Sequence, residues 1–296
     1  MSQAEQITKQ SGSNLALAFF ALPKETRRDI TIFYAFCRRV DDAADETRLP
    51  LEERREQLCN WRTWIQAPGQ AEPELAADLR QIIGRYRIDL QLFHDILDGV
   101  EADLAPARYQ NFEELAKYCY RVASAVGLVS IEIFGYRNKR TREYAYQLGM
   151  ALQLTNIIRD VATDWANENR IYLPLDELKR FQYSEEDLGR HTYNERFLGL
   201  MRFQAERARG YFVRARQSLP KEDRRSMIAA ELMGGIYQAL LHKIERDRFQ
   251  MFRRRYRLSS AEKVWVLSRK LLANRLGSTK RRDGETAKRR QGETEQ

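Results

Sequence analysis

Two acidic segments, residues 38–46 and 153–174, carry the side chains best suited to chemistry in this 296-residue chain. At steps of three or four residues they place Asp41 and Asp45 in the first segment, and Gln153, Asn156, Asp160 and Asp164 in the second. Residues at this spacing share one face of a helix. Carboxylate and amide oxygens suit Mg²⁺, which commonly shares its protein ligands with a substrate phosphate. The spacing therefore predicts a site for a divalent cation and a phosphorylated ligand.

Arginines accompany both acidic segments, with Arg38 and Arg39 in the first and Arg159 and Arg170 in the second. A guanidinium group can donate two parallel hydrogen bonds to phosphate oxygens. If the two helices face each other, their carboxylates and the Asn156 amide oxygen converge. Several Mg²⁺ ions would then offset both the carboxylate repulsion and the charge of a diphosphate. We therefore expect a metal–diphosphate clamp that uses Mg²⁺, with Mn²⁺ as a substitute.

Other interpretations of these residues remain. A single pair of Asp residues four apart is common on solvated helix faces. Here, however, each pair follows an apolar run, at 29–37 and 153–158, and buried carboxylates without partners are costly. The three histidines lack the Glu-x-x-His pattern of a helical di-iron site, and the chain contains no phosphate-binding glycine loop. The cation site remains the favoured hypothesis.

The elements that must position these residues are helices. Apolar residues recur at steps of three and four over 113–136, 141–161 and 223–245, which is typical of amphipathic helices. Breaks in this pattern fall at 66–74, 104–110, 136–139, 172–188 and 218–224. Strand-like alternation does not recur. We predict an all-α fold with one domain over residues 1–276, followed by a basic, disordered tail at 277–296.

Composition bounds the cellular setting. Charged residues make up 31% of the chain, and no apolar stretch approaches the length of about 18 residues that a membrane-spanning helix needs. The polar N-terminus lacks the apolar core of a signal peptide. The three cysteines, Cys37, Cys59 and Cys119, are widely separated, which indicates free thiols rather than a disulfide framework. We expect a cytoplasmic protein without a transmembrane helix.

The net charge of +9 indicates anionic partners. The segment ERDRFQMFRRRYR at 245–257 is predicted to be an amphipathic helix, and one interpretation places it on an acidic membrane surface. A rival hypothesis is a non-enzymatic, basic helical protein that binds membranes or nucleic acid. That hypothesis leaves the acidic stripes unexplained, because they would repel phosphate unless a metal intervened. We therefore expect no nucleic-acid partner.

Both motifs resemble those of the squalene/phytoene synthase family. The similarity rests on YAFCRRVDDAADE and NIIRDVATDWANENRIYLP and extends over most of the chain. It implies an isoprenoid-synthase helical bundle with a central apolar cavity, in which two prenyl diphosphates are condensed head to head. The segments DGVEADL and LPKEDRRSMIAAELMGGIYQALLHKIE are most similar to bacterial presqualene diphosphate synthases of hopanoid biosynthesis.

The resemblance also implies roles for single residues. Metal binding falls to Asp41, Asp45, Asn156, Asp160 and Asp164, of which the four aspartates are also the catalytic candidates. Substrate contacts fall to Ser11, Ser13, Tyr34, Arg38, Tyr118, Val122, Ala123, Gly127, Gln153, Arg159, Arg170 and Tyr172. Aromatic rings that could stabilise a carbocation are Phe19, Phe20, Phe33 and Tyr34. Two positions depart from the family pattern, since Thr163 and Phe249 stand where an acid and a tyrosine are common.

The activity expected from the resemblance is Mg²⁺-dependent condensation of two farnesyl diphosphates to presqualene diphosphate, with release of diphosphate. Phytoene, dehydrosqualene or complete squalene synthesis remain alternatives within the family. NADPH is not expected to be needed for presqualene diphosphate formation. Because of such a product we predict peripheral contact with the inner membrane face, and a downstream squalene-forming enzyme would be a partner.

Overall fold

The computed structural model describes residues 3–10, 18–46 and 48–269, so the tail predicted at 277–296 lies outside the described residues. Within these ranges the chain is all-helical, and its only β-type pairing is an isolated bridge between Arg108 and Ile171. The prediction of an all-α, single-domain fold is confirmed.

The helices are short to medium in length apart from four long ones. In chain order they are α1 (Gln3–Gln10), α2 (Lys24–Asp45), α3 (Leu51–Trp64), α4 (Glu74–Tyr86), α5 (Leu90–Ala102), α6 (Phe112–Cys119), α7 (Ala125–Phe134), α8 (Arg140–Ala166), α9 (Leu175–Arg180), α10 (Glu185–Gly189), α11 (Glu195–Ser218) and α12 (Ile228–Arg246). A π-helical turn, Tyr120–Ser124, joins α6 to α7, and a 3₁₀ turn, Lys221–Asp223, precedes α12. Residues 260–269 form a further helical segment.

Helix starts follow from local chemistry. Proline cannot donate a backbone hydrogen bond and its φ is fixed, so it fits immediately before a helix better than inside one. Four helices, α2, α3, α4 and α9, begin directly after Pro23, Pro50, Pro73 and Pro174. Asp89, Asn111 and Asn194 instead accept backbone N–H bonds at the starts of α5, α6 and α11.

Aromatic packing fixes α2 in the bundle. The Phe33 ring meets Phe93 of α5 edge-on at 5.8 Å, and the Phe36 ring meets Trp61 of α3 at 5.2 Å. Such edge-to-face pairs add stability beyond the area that they bury, about 0.5–1.5 kcal/mol each. Because these rings lie one to three turns before the acidic end of α2, they hold the first motif in place.

The long helix α8 carries the second motif through the centre of the fold. It packs along α11 and also contacts the π-helical turn, α7 and α12. Buried residues cover most of its circumference between Thr141 and Val161. Among the described helices, α2 and α8 do not form a closely packed pair, and a cavity lies between them.

The prediction of an amphipathic helix over 245–257 is wrong. The helix α12 ends at Arg246, and residues 247–259 form turns and irregular chain. Phe249, Met251, Tyr256 and Leu258 are buried there. Arg248 and Phe249 have φ values of 54° and 56°, in the left-handed region, which a continuing right-handed helix does not allow. Within the described ranges no helix is both long enough and apolar enough to cross a bilayer.

Gly149 is required where α8 crosses the π-helical turn. A Cβ atom at this position would lie 2.6 Å from Ser124 Cα and 2.7 Å from Ser124 N, which are backbone atoms. We expect Gly149→Ala to lower the free energy of unfolding by about 1–3 kcal/mol, measured by urea denaturation. Gly84→Ala is the matched control, because nothing lies within 4 Å of its added Cβ in helix α4. That control should gain about 0.5–1 kcal/mol; equal stability of the two variants would contradict the crossing geometry.

Candidate active site

The two acidic segments line one cavity of about 450 Å³ between α2 and α8. Of the residues predicted for the site, the lining contains Arg38, Asp41, Asp45, Tyr118, Gln153, Asn156, Arg159, Asp160, Asp164, Arg170 and Tyr172. The resemblance implies a central apolar cavity, but this one is lined mainly by charged and polar groups. Its apolar share comes from Ala44, Val100 and Ile157. The cavity therefore suits diphosphate groups, and an apolar space for prenyl chains stays a prediction.

The first motif projects from the last turns of α2. Asp41 and Asp45 both line the cavity, and the Asp45 side chain is 59% exposed. Arg38 forms an ion pair with Asp42, one turn along the helix. Across the cavity, Arg170 Nη1 lies 4.0 Å from Asp45 Oδ1. An arginine near the end of the second motif thus reaches the carboxylate of the first.

The second motif forms a polar stripe on α8. Arg159 donates two hydrogen bonds to the Asp160 carboxylate, one from Nε to Oδ1 at 2.8 Å and one from Nη2 to Oδ2. Asn156 donates from Nδ2 to Gln153 Oε1 at 3.3 Å, while its own Oδ1 is buried without a hydrogen-bond partner. A buried amide oxygen without a donor is rare in native proteins, so the Asn156 oxygen is available to a water molecule or a cation in the cavity.

Burial and crowding disfavour negative charge in the cavity. Asp41 is exposed to the open cavity, but desolvation by the surrounding protein atoms, followed by the nearby Asp45 and Asp103 carboxylates, raises its pKa to about 7 despite the opposing Arg38 charge. Burial and the Asp160 carboxylate raise the pKa of Asp164 to about 8. Positive charge placed among these groups would restore their ionised forms. The carboxylates therefore favour a cation.

Asp103 is a cavity residue that the sequence analysis missed. Its carboxylate accepts hydrogen bonds from the phenols of Tyr118, at 2.9 and 3.0 Å, and Tyr172, at 2.8 Å. Burial raises the pKa of Asp103 above its usual range, against the lowering effect of these hydrogen bonds. Like Asp45, it lies at the end of an apolar helix, and that position is the signal that could have identified it.

A second missed residue is Tyr237 of α12. Its phenol lies close enough to the Arg159 guanidinium to affect the pKa of that group. Burial alone would lower the pKa of Arg159, but hydrogen bonding to Asp160 and the contact with Tyr237 raise it. Phe249, where the family often has a tyrosine, is buried outside the residues that line the cavity. A phenol therefore lies beside the second motif even though Phe249 lacks one.

Several predicted residues lie away from the cavity lining. Tyr34 is partly buried, with its ring edge-on to Phe19 at 6.1 Å. Val122 and Ala123 belong to the π-helical turn, which packs against Gly99 and Gly149, and Gly127 contacts the Ala145 backbone. Ser11 and Ser13 lie outside the described residues.

The aromatic candidates for a carbocation partner do not line the cavity. Phe20 is 70% exposed, and Phe33 packs against other core rings. The aromatic side chains that do line it are Tyr118 and Tyr172, whose ring centroids lie 5.2 Å apart. Any aromatic contact with a substrate in this cavity would therefore come from tyrosine.

The donor set fits Mg²⁺ in part. Its groups are oxygen donors, and the buried Asn156 Oδ1 lacks a partner, as a ligand atom would before metal binding. Within the described ranges, however, no three His, Cys, Asp or Glu side chains are close enough to hold one ion by themselves. Mg²⁺ typically takes one or two carboxylates and completes its shell with water and phosphate oxygens. The site therefore fits Mg²⁺ that arrives together with a diphosphate.

The fold and this cavity define a protein of the isoprenoid-synthase type. The chain belongs to the squalene/phytoene synthase family, whose family model matches residues 8–262. Members of this family are prenyltransferase-type enzymes.

Curated relatives are similar over most of their length. The 15-cis-phytoene synthase of Synechococcus elongatus is 35% identical over 269 residues, which covers 86% of this chain and 86% of the relative. A phytoene synthase of Mycobacterium tuberculosis is 33% identical over 273 residues, which covers 91% of this chain and 90% of the relative.

Solved structures share the fold. A dehydrosqualene synthase in complex with a ligand superimposes with a TM-score of 0.80 at 26% identity, covering 91% of this chain and 94% of the other. Squalene synthase HpnC from Alicyclobacillus acidocaldarius gives a TM-score of 0.72 at 23% identity, covering 83% and 93%. The second likeness supports the fold alone.

Proposed function

We propose that this protein condenses two prenyl diphosphates head to head and releases diphosphate. The observation that carries this proposal is the polar cavity in which both acidic motifs meet Arg38, Arg159 and Arg170. Three guanidinium groups around one space can bind diphosphate oxygens through charge-assisted hydrogen bonds. The acidic side chains would repel that ligand unless cations lie between them.

Magnesium is the cation that we propose for this site. Asp41 and Asp45 would hold it on the α2 side, and Asn156, Asp160 and Asp164 on the α8 side. When bound, Mg²⁺ neutralises the diphosphate charge and makes it a better leaving group. We expect Mn²⁺ to substitute. The absence of an NADPH requirement for presqualene diphosphate formation stays a prediction.

The chain's own residues orient the substrates in this proposal. Arg159 and Arg170 would hold the diphosphate oxygens, since both line the cavity beside the second motif. Ala44, Val100 and Ile157 would contact the first carbons of a prenyl chain, because they form the apolar part of the lining. The hydrogen-bonded group of Asp103, Tyr118 and Tyr172 would fix the shape of the part of the cavity wall that these residues form. Catalysis would then depend mainly on positioning and preorganised charge.

The relatives bear on the product. The two curated relatives named above are phytoene synthases, which favours a phytoene-type reaction with two C20 substrates over presqualene diphosphate formation from two C15 substrates. We therefore propose geranylgeranyl diphosphate as the first substrate to test. Presqualene diphosphate synthesis, with its downstream squalene-forming partner, remains the alternative.

Product analysis tests the proposal. The purified protein would be incubated with Mg²⁺ and either geranylgeranyl or farnesyl diphosphate, with and without NADPH, and the products identified by mass. A C40 hydrocarbon from the C20 substrate supports phytoene synthesis. A C30 diphosphate from the C15 substrate supports the alternative. If neither substrate gives a condensed product, the proposed function fails.

We also propose that the C-terminal part of the described chain contacts an anionic lipid surface. Val264 and Trp265 are 61% and 60% exposed, and Arg253, Arg254 and Arg255 are exposed in the preceding segment. Tryptophan favours the membrane interface, and each basic residue near an anionic surface contributes about 1 kcal/mol. An apolar product would leave the enzyme most readily at such a surface.

Vesicle sedimentation checks this contact. We expect binding to vesicles that contain phosphatidylglycerol but not to pure phosphatidylcholine, and a loss of about fivefold when one arginine of 253–255 is neutralised. Trp265→Ser should weaken binding, whereas Val213→Ser, which removes an exposed apolar residue from α11, should not. No sedimentation with anionic vesicles at low salt, or tighter binding to nucleic acid, would contradict the proposal.

A further inference from the structure

The chain makes a strained reversal within the C-terminal part of the second motif, just after helix α8 ends. Beyond the end of α8, Glu168 and Asn169 adopt φ values of 58° and 53°, both in the left-handed region. Residues with a side chain rarely adopt this conformation, and two in succession without glycine need support from their surroundings. Strain of this kind concentrates at functional sites and therefore invites the question of what it positions.

The residue that the reversal positions is Arg170. It is 7% exposed and lines the cavity. Its Nη2 donates to the Asp103 carbonyl oxygen at 3.0 Å and to Glu168 Oε2 at 3.1 Å. Its Nε is buried without a hydrogen-bond partner. A guanidinium held this way has donor capacity left for a ligand in the cavity.

Arg108 holds the reversal from the side. Its Nη1 donates to the Asn169 carbonyl oxygen at 2.6 Å, so it binds the backbone one residue before Arg170. Arg108 is in turn oriented by Glu185, with Nε to Oε2 at 3.1 Å. The same stretch is paired through backbone bonds, since Ile171 N donates to the Ala107 carbonyl oxygen at 3.1 Å.

We propose that Arg108, which lies outside the cavity lining, is a positioning residue that acts through Arg170. The Arg108 guanidinium fixes the left-handed backbone at Asn169, and Glu185 fixes that guanidinium. Without the Arg108–Glu185 pair the reversal relaxes, and the Arg170 side chain loses its position beside Asp45 and Asp103. The kinetic part of this inference rests on the proposed prenyl diphosphate reaction; the structural part does not.

The kinetic test is a double-mutant cycle on the purified protein with Mg²⁺ and a prenyl diphosphate. Arg108→Gln should raise KM by about tenfold, and Arg108→Lys should recover part of the loss, because lysine can still donate to the Asn169 carbonyl. Adding Arg108→Gln to Arg170→Gln should change kcat/KM by less than about twofold. A purely structural role predicts additive losses, and additive losses would overturn the proposal.

Amide hydrogen exchange tests the role of the Arg108–Glu185 pair independently of turnover. Peptides that cover 168–176 should exchange faster in Arg108→Gln and in Glu185→Gln than in the wild type, with no change in Glu186→Gln, whose exposed carboxylate pairs with Arg190 instead. Unchanged exchange in both Arg108→Gln and Glu185→Gln would overturn the proposal. If Arg108→Gln fails to fold, Glu185→Gln carries both comparisons. If the wild type turns over no prenyl diphosphate, the proposed function fails. The exchange result still shows whether Arg108 and Glu185 hold the reversal.

Discussion

Replacing Asp41 with asparagine is expected to lower kcat by about 10²–10³-fold while the protein stays folded. The carboxylate faces the cavity at the acidic end of α2, where it would share a cation with the diphosphate. Asparagine keeps the shape of the side chain but removes the negative charge that the cation requires. Because Asp41 lies near the Asp45 and Asp103 carboxylates, losing its charge relieves repulsion in the metal-free protein. The melting temperature should therefore not fall.

Steady-state kinetics at saturating Mg²⁺, together with thermal denaturation, checks this expectation. Glu46→Gln is the matched control, since it makes the same change from carboxylate to amide in the same motif on an exposed side chain outside the cavity lining. Its turnover should match that of the wild type. Turnover near the wild-type value in Asp41→Asn, Asp45→Asn and Asp160→Asn together would reject the clamp.

The second large effect is expected at Arg159. Arg159→Gln should lower kcat/KM by about 10²-fold, because hydrogen bonds to charged groups contribute about 1.5–3 kcal/mol. The guanidinium holds Asp160 with two hydrogen bonds and lines the cavity, so its loss affects both the carboxylate and the diphosphate. The Asp160 side chain is only 17% exposed, which leaves its charge poorly solvated once the arginine is gone.

The control for Arg159 lies on the same helix. Arg142→Gln makes the identical substitution near the start of α8, where the arginine pairs with Glu132 outside the cavity lining. We expect its kcat/KM to stay at the wild-type value. A similar loss in the two variants would mean that α8 responds to any lost arginine, and the specific role of Arg159 would then be rejected.

Local rules account for the parts of the fold that the sequence predicted well. Asp41 and Asp45, like Asn156 and Asp160, are one turn apart on helices whose apolar faces are long enough to specify burial. Once α2 and α8 fold with those apolar faces in the core, the orientation of the polar side chains of both motifs is largely determined. Their meeting at one cavity followed from periodicity and from the need to compensate clustered charge.

Residues whose environment depends on distant contacts were missed. Asp103 follows α5, and its partners Tyr118 and Tyr172 come from elements 15 and 69 residues further along the chain. No local pattern encodes that meeting. The helix prediction for the segment after α12 was wrong for a related reason. Tertiary burial of Phe249 and Tyr256 outweighed the helix-like arrangement of charged residues. The product stays open because motifs that bind diphosphate do not encode prenyl chain length.

The measurement that tests the central claim most directly is a thermal shift with Mg²⁺ and inorganic diphosphate, added singly and together. If the two acidic motifs form one metal–diphosphate clamp, Mg²⁺ and diphosphate together should stabilise the wild type by about 3 kcal/mol when the ligand is at about 100 times its dissociation constant. This stabilisation should be much larger than the sum of the two single additions. Asp41→Asn should lose this joint effect. Diphosphate that stabilises the protein equally well without any divalent cation would contradict the clamp.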